Sequence, residues 1–413
     1  MLRREQTVKF CMVTTFYPPF NFGGDGVYVE ALSRELQRRG HEVTVVHCHD
    51  AFQLVSGSRA VAPCDERVDG VDVVRLHSPL GAISPILTQQ SGRPLLKSRR
   101  LKATLARGFD VVNFHNISLV GGPAVLAIPA PGAVKLYTLH EHWLLCSTHI
   151  FWKNRERACD RRECLSCCLR SGVPPQAWRA SGLVAQSLRH VDALIAPSEF
   201  TARLHREAGL APPVVVNPLF SRLAPVGVDA GGSNRYFLYV GRVTASKGVR
   251  PLLEQFAAHP EFELRVAGAG DELEALRAKF GGLPHVRFLG AVGEAQLPAL
   301  YAGAVAVIMP SLAPETFGLS VVEGMALGVP AIVRDAGGCR EIVEASGAGH
   351  VFREFAELPA LLARLTGDVD HRHRLAAKAR DAAATRYSVD AHLARYLGLI
   401  DTLRSKRSES EAA

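Results

Sequence analysis

The stretch Lys9-Phe10-Cys11-Met12-Val13-Thr14-Thr15-Phe16, with Gly23-Gly24-Asp25-Gly26 after it and then Val29, Leu32 and Leu36 before Gly40, decides the fold. The short apolar run predicts a buried strand and the glycines a tight turn. Apolar residues recurring every three or four positions predict a helix that Gly40 ends. Strand, glycine loop and helix in this order open a parallel α/β sheet. Glu42–Cys48, Val71–Leu76, Val111–Phe114 and Val134–Leu139 extend it as further short buried strands.

Between Asn217 and Asn234 the chain thins into Pro218, Pro225 and Gly231-Gly232-Ser233, the composition of a connection. A second alternation follows, with Tyr236–Val240, Glu263–Ala267, Val286–Leu289, Val305–Met309 and Ala331–Val333 as strands around amphipathic segments such as Asp271–Phe280. Two doubly wound domains in tandem are expected. The region His371–Arg404 is predicted mostly helical, with Leu393, Leu397 and Ile400 on one face, and Ser405–Ala413 is predicted to be a flexible, solvated tail.

Bulk properties agree. A chain of 413 residues exceeds what one hydrophobic core supports, and an apolar fraction of 47% with 21% charged residues belongs to a soluble globular protein. A net charge of +8 favours anionic partners: phosphorylated small molecules, nucleic acid or an acidic membrane surface. Met1–Glu5 runs straight into the first strand, too short a lead for a secretory signal, so a cytoplasmic location is expected. The long uncharged run Val111–Val134 contains Asn113, His115, Asn116 and three prolines, which marks buried strand and loop instead of a membrane span.

In open parallel sheets, ligands bind beyond the carboxyl ends of strands, where the next helix presents free N–H groups. Two loops have that position. Gly241-Arg242-Val243-Thr244-Ala245-Ser246-Lys247-Gly248 carries two cations suited to a pyrophosphate, the arginine as a fork and the lysine as a point charge. Pro310-Ser311-Leu312-Ala313-Pro314-Glu315-Thr316-Phe317-Gly318-Leu319 leads into a helix on which Glu323 lies eight residues after Glu315. Carboxylates beside a phosphate site are tolerated where they accept from hydroxyls, so the implied ligand is a phosphorylated sugar.

These residues, with Gly23-Gly24, Gly328-Val329-Pro330 and Gly337-Gly338 in the same order and spacing, resemble the retaining glycosyltransferases of family 4, glycosyl transferases group 1. The resemblance covers essentially the whole chain. It implies the GT-B fold, two Rossmann-like domains facing a cleft: residues 1–218 bind the acceptor, 219–388 bind the donor, and a helix over 389–404 packs back on the N-terminal domain. It implies a hexose donor carried on UDP or GDP, and a glycan, lipid-linked or small-molecule acceptor. Nucleic acid is not an expected partner.

The resemblance also implies that Arg242 and Lys247 bind the pyrophosphate, that Glu323 binds ribose, and that Glu315 with Phe317, Gly318 and Leu319 engages the sugar and phosphate. It places Gly24, Gly241, Gly268 and Leu289 in the donor pocket. His140, within Leu139-His140-Glu141-His142, matches a histidine near the donor sugar, so His140, Arg242, Lys247 and Glu315 are the expected catalytic set. Front-face attack assisted by the leaving phosphate is implied, with no carboxylate nucleophile and no metal or other cofactor required for catalysis. Two departures stand out: Asn217-Pro218 replaces an Asn-Gly, and His140-Glu141 replaces a His-Asp.

Five of nine cysteines, Cys146, Cys159, Cys164, Cys167 and Cys168, fall in one compact segment over 146–168. Cys146, Cys159, Cys164 and Cys167, with Cys168 as an alternative, form a candidate structural zinc site, set against free thiols in an acceptor-side loop. The stretch over 93–107 carries Arg93, Lys97, Arg99, Arg100, Lys102 and Arg107 without an acid, interleaved with leucines. A solvated face or acceptor-phosphate patch is the preferred reading, with a peripheral contact to an anionic membrane as the alternative. A nucleotide-sugar isomerase or epimerase on the same fold, and a non-catalytic nucleotide-sugar-binding module, are the rival functions.

Overall fold

The computed structural model describes residues 7–58, 64–223 and 236–412. Strands β1 (Lys9–Val13), β2 (Glu42–Cys48), β3 (Glu66–Val68), β4 (Val71–Leu76), β5 (Val111–Phe114) and β6 (Val134–Thr138) come first. A small hairpin follows, β7 (Trp152–Lys153) with β8 (Arg157–Ala158), and then β9 (Ala193–Ala196) and β10 (Val214–Val216). All but the hairpin form one sheet ordered β10-β9-β6-β5-β1-β2-β4-β3, parallel except for the antiparallel edge strand β3. The second sheet holds β11 (Tyr236–Val240), β12 (Glu263–Ala267), β13 (Val286–Gly290), β14 (Ala304–Met309), β15 (Ala331–Arg334) and β16 (Gly349–Phe352), ordered β13-β12-β11-β14-β15-β16 and all parallel.

This is the GT-B architecture, two Rossmann-like sheets flanked by helices. Each sheet reverses direction once, between β1 and β5 and between β11 and β14, and ligand crevices open at such switch points. The apolar runs read from sequence are these strands. Those missed are peripheral or short: β3, β9, β10, β16 and the hairpin. Much of the connection near 217–234 lies outside the described residues.

One hydrophobic cluster runs through both halves, joining Phe10, Met12 and Tyr28 to Phe317, Val321 and Val333, and also to Leu393, Tyr396 and Ile400. The last helix does not stop near 404. It spans Val389–Ala412, so residues read as a flexible tail are helical through Ala412. Long-range contacts that composition does not reveal hold it there. Tyr396 Oη accepts from Asn113 Nδ2 at 3.0 Å, Arg404 reaches Asp110 at 3.2 Å, and Arg407 reaches Asp192 at 2.6 Å. All three partners belong to the first sheet's half, so the chain crosses back at its end.

Candidate functional site

The loops after β11 and β14 meet at the second switch point. Leu312 and Ala313 both donate their N–H to Ser246 O, at 2.9 and 3.0 Å. Backbone contact also fixes the floor: a Cβ on Gly268 would fall 1.8 Å from Gly241 O, and Gly268 has φ +149°, a conformation other residues rarely adopt. Gly268 N–H donates to Gly290 O at 2.7 Å, which brings Leu289 to the rim, 40% exposed. Gly241, Gly268 and Leu289 are thus brought close together.

Lys247 Nζ donates to Glu315 Oε1 at 2.6 Å, and the Ser311 hydroxyl donates to the same oxygen. Burial alone would raise the Glu315 pKa, but the Lys247 charge and hydrogen bond, with Ser311 and Arg242, outweigh it and hold the carboxyl below its ordinary value. Glu315 is stitched to Gly337-Gly338, its N–H to Ala336 O at 3.1 Å and its carbonyl accepting from Gly338 N–H at 2.7 Å. Arg242 is exposed at the mouth of this loop.

Gly318 precedes the helix Leu319–Ala326 with φ +149°, and a Cβ there would press within 2.8 Å of Cys339 Sγ. Its approach leaves the first-turn N–H groups facing the loop. Phe317 is buried in the shared core, and Glu323 is buried one face along the helix. Glu323 does not stand alone. Arg222 donates to Oε1 from Nη2 at 2.9 Å and Nε at 3.2 Å, and Tyr301 Oη donates to Oε2 at 2.9 Å. Sequence reasoning missed Arg222 because it sits in the stretch read as connection, and Tyr301 because a core tyrosine carries no motif.

The opposite wall comes from the first sheet's switch point. The helix Gly24–Arg38 begins where Gly23 takes φ +95°, and a Cβ on Gly24 would come within 3.3 Å of Leu319 Cδ1 across the cleft. His140 lies after β6 and faces the loop that leads to Gly318 through its backbone, its carbonyl accepting from Thr316 Oγ1 at 2.9 Å. The His140 ring is engaged elsewhere: Nε2 pairs with His115 Nδ1 at 2.9 Å, and the ring packs 5.2 Å from Tyr28. Burial lowers His140 to about 3, so it is neutral near pH 7.

Glu141, the departure beside it, pairs with His149 at 2.8 Å. Asp25 also lines this wall, accepting from Asn116 Nδ2 at 3.1 Å. Burial, with Glu141 second, lifts its carboxyl to about 6.

Cys146, Cys159, Cys164 and Cys167 line one cavity of about 20 Å³ beside the β7–β8 hairpin, while Cys168 is buried away from it. Asn154 N–H points to Cys167 Sγ at 3.4 Å. Among the described residues, no group of three or more His, Cys, Asp or Glu side chains is gathered closely enough to hold a metal ion as it stands. The nearby cations are largely paired, Lys153 with Asp160 and Glu163, and Arg161 with Glu163. The basic stretch is not one amphipathic helix either. Lys97 is buried, and the helix starts at Ser98 and ends at Leu105.

A family model described as glycosyl transferases group 1 matches residues 228–382, and one described as glycosyl transferase 4-like domain matches residues 23–219. The chain is similar to a phosphatidyl-myo-inositol mannosyltransferase of Mycobacterium leprae, 31% identical over 185 residues. That match covers 43% of this chain and 49% of that protein, about half its length. An uncharacterized glycosyltransferase of Methanocaldococcus jannaschii is 26% identical over 357 residues, 82% of this chain and 83% of that one.

Among solved structures, sucrose-phosphate synthase from Thermosynechococcus elongatus superposes with a TM-score of 0.73 at 19% identity, over 97% of this chain and 100% of that one. Anabaena HepE in complex with UDP and glucose superposes at 0.63 and 19%, over 98% and 100%. These likenesses show the fold.

Proposed function

Because this chain belongs to the glycosyl transferases group 1 family, with its GT-B fold, we propose that it is a retaining transferase moving a hexose from a nucleoside diphosphate sugar to an acceptor. The convergence of Arg242, Lys247, the Gly318 helix start and the buried Glu323 at one switch point carries this reading. Arg242 and Lys247 take the diphosphate, and the helix N-terminus adds its partial positive charge as negative charge develops on the leaving group. Glu323 accepts from ribose hydroxyls and Glu315 from the sugar. His140, neutral and held by His115, presents its carbonyl side to the donor loop. The similar fold of a chain crystallised with UDP and glucose supports a nucleotide sugar as donor. In this reading the two cations supply the charge stabilisation that a divalent ion provides elsewhere, so catalysis needs no metal.

Lys247→Ala and Glu323→Ala are each expected to weaken nucleoside diphosphate binding by tenfold or more on the order of one charged hydrogen bond. Unchanged calorimetric affinity in both folded variants would sink the reading. Conversion of donor without transfer to any acceptor would favour an isomerase instead.

The four thiols around the hairpin are the candidate for a structural zinc, which requires them to close inward. Cobalt titration is the check. A tetrathiolate charge-transfer band that Cys164→Ser and Cys167→Ser abolish supports the site, and a featureless spectrum removes it.

A further inference from the structure

Among the described residues, Phe22 is the most exposed phenylalanine, tyrosine or tryptophan, at 39%. It is nonetheless held in place. The ring stacks on Phe52 at 5.1 Å, and Phe16 meets it edge to face at 5.4 Å. The loop that carries it is closed on both sides. Tyr17 and Phe20 exchange backbone hydrogen bonds at 3.2 and 2.9 Å, and Asn21 Nδ2 donates to Gly23 O at 2.8 Å. The ring is therefore a fixed platform, packed on one side and open to water on the other.

Its position in the cleft says what it serves. Phe22 directly precedes Gly23-Gly24, and a Cβ on Gly24 would come within 3.3 Å of Leu319 Cδ1 on the opposite wall. Asp25 follows, its carboxylate accepting from Asn116 Nδ2 at 3.1 Å, with Glu141 close enough to raise its pKa. An aromatic ring beside carboxylates and an amide is the chemistry that recognises a sugar. The C–H face of the sugar packs on the negative face of the ring, and its hydroxyls donate to the carboxylates.

Charge narrows the class further. A phosphate or uronate on this wall would meet the Asp25 carboxylate, ionised above about pH 6, with Glu141 beside it as a second acid. The cation next to the platform is committed elsewhere: Arg75, over Phe20 at 5.8 Å, is buried and donates to Cys64 O and Glu66. We propose that Phe22 is the stacking platform for an uncharged sugar ring of the acceptor, with Asp25 accepting from that ring's hydroxyls. The inference rests on the transferase reading and goes beyond it by naming the acceptor unit at the cleft as a neutral glycosyl residue, neither phosphorylated nor acidic.

The test is saturation-transfer difference NMR of the full chain with the neutral methyl glycosides of glucose, mannose, galactose and N-acetylglucosamine, set against glucose 6-phosphate and methyl glucuronide. Saturation is expected to reach the ring C–H protons of at least one neutral glycoside and of neither anionic sugar. Phe22→Ala should lower that signal about fivefold, and Phe22→Tyr should keep it, with wild-type melting temperature in both. UDP and GDP affinities, read separately by calorimetry, should be unchanged in both variants, so that a failed donor site and a failed platform are told apart. No signal from any neutral glycoside, equal or stronger signal from the anionic sugars, or a full signal in Phe22→Ala would overturn the proposal.

Discussion

On the C-terminal wall of the cleft, opposite charges are paired, Lys247 with Glu315 at 2.6 Å and Arg222 with Glu323 at 2.9 Å. On the N-terminal wall the side chains are mostly rings, with Tyr28 on His392 at 2.8 Å and His115 on His140 at 2.9 Å. Burial lowers His140 to about 3 and His392 to about 4. The first wall can exchange its internal partners for a ligand's phosphate and hydroxyls. The acidic groups of the second, Asp25 and Glu141, are carboxylates, so it gives a diphosphate no competing place to bind.

The comparison breaks most visibly at glycines. Gly268→Ala drives a Cβ into Gly241 O and must shift the floor of the C-terminal wall. Its expected cost is roughly 4 kcal/mol or more, with loss of nucleotide binding in calorimetry. Gly24→Ala meets only the tip of Leu319, so melting should change little. Equal effects from the two would show that the C-terminal wall is not the stiffer one.

Arg222→Ala leaves Glu323 buried with Tyr301 as its remaining partner, and roughly 3 kcal/mol of stability should be lost. Adding Glu323→Gln should recover part of it in chemical denaturation, whereas strictly additive losses would mean that the pair is not coupled.

On the N-terminal wall the sensitive group is Asp25. Its folded pKa of about 6 lies above the ordinary aspartate value, so the folded chain holds a proton that the unfolded chain has released. Stability is therefore lost as pH rises through that window. Asp25→Asn should match wild type at acid pH and become progressively more stable up to about pH 6, then stay level. A pH-independent difference in melting temperature would refute the raised value.

The smallest effects belong to the crossing helix. Arg404→Ala and Arg407→Ala, each removing a partly exposed pair, should cost up to about 1 kcal/mol apiece.

The C-terminal wall was legible because its chemistry is local: Gly241 to Gly248 and Glu315 to Glu323 are short spacings set by loop and helix geometry. The N-terminal wall was not, because its pairs are remote. Asp25 finds Asn116 across 91 positions, and Tyr28 finds His392 across 364. Arg222 was hidden for the same reason, 101 positions from Glu323. The helical end was misread since Ser405–Ala412 carries polar composition. What orders it is two arginines reaching Asp110 and Asp192, which no local pattern announces.

That helix has a consequence for how the protein is made. Leu393, Tyr396 and Ile400 complete an apolar cluster begun by Phe10 and Tyr28, so the first half of the chain emerges from the ribosome without the residues that close its own core. That core stays incomplete until the helix Val389–Ala412 has been synthesised. A chain cut at 388 would expose that gap permanently, so the helix that closes the core also sorts chains that contain it from chains that stop short.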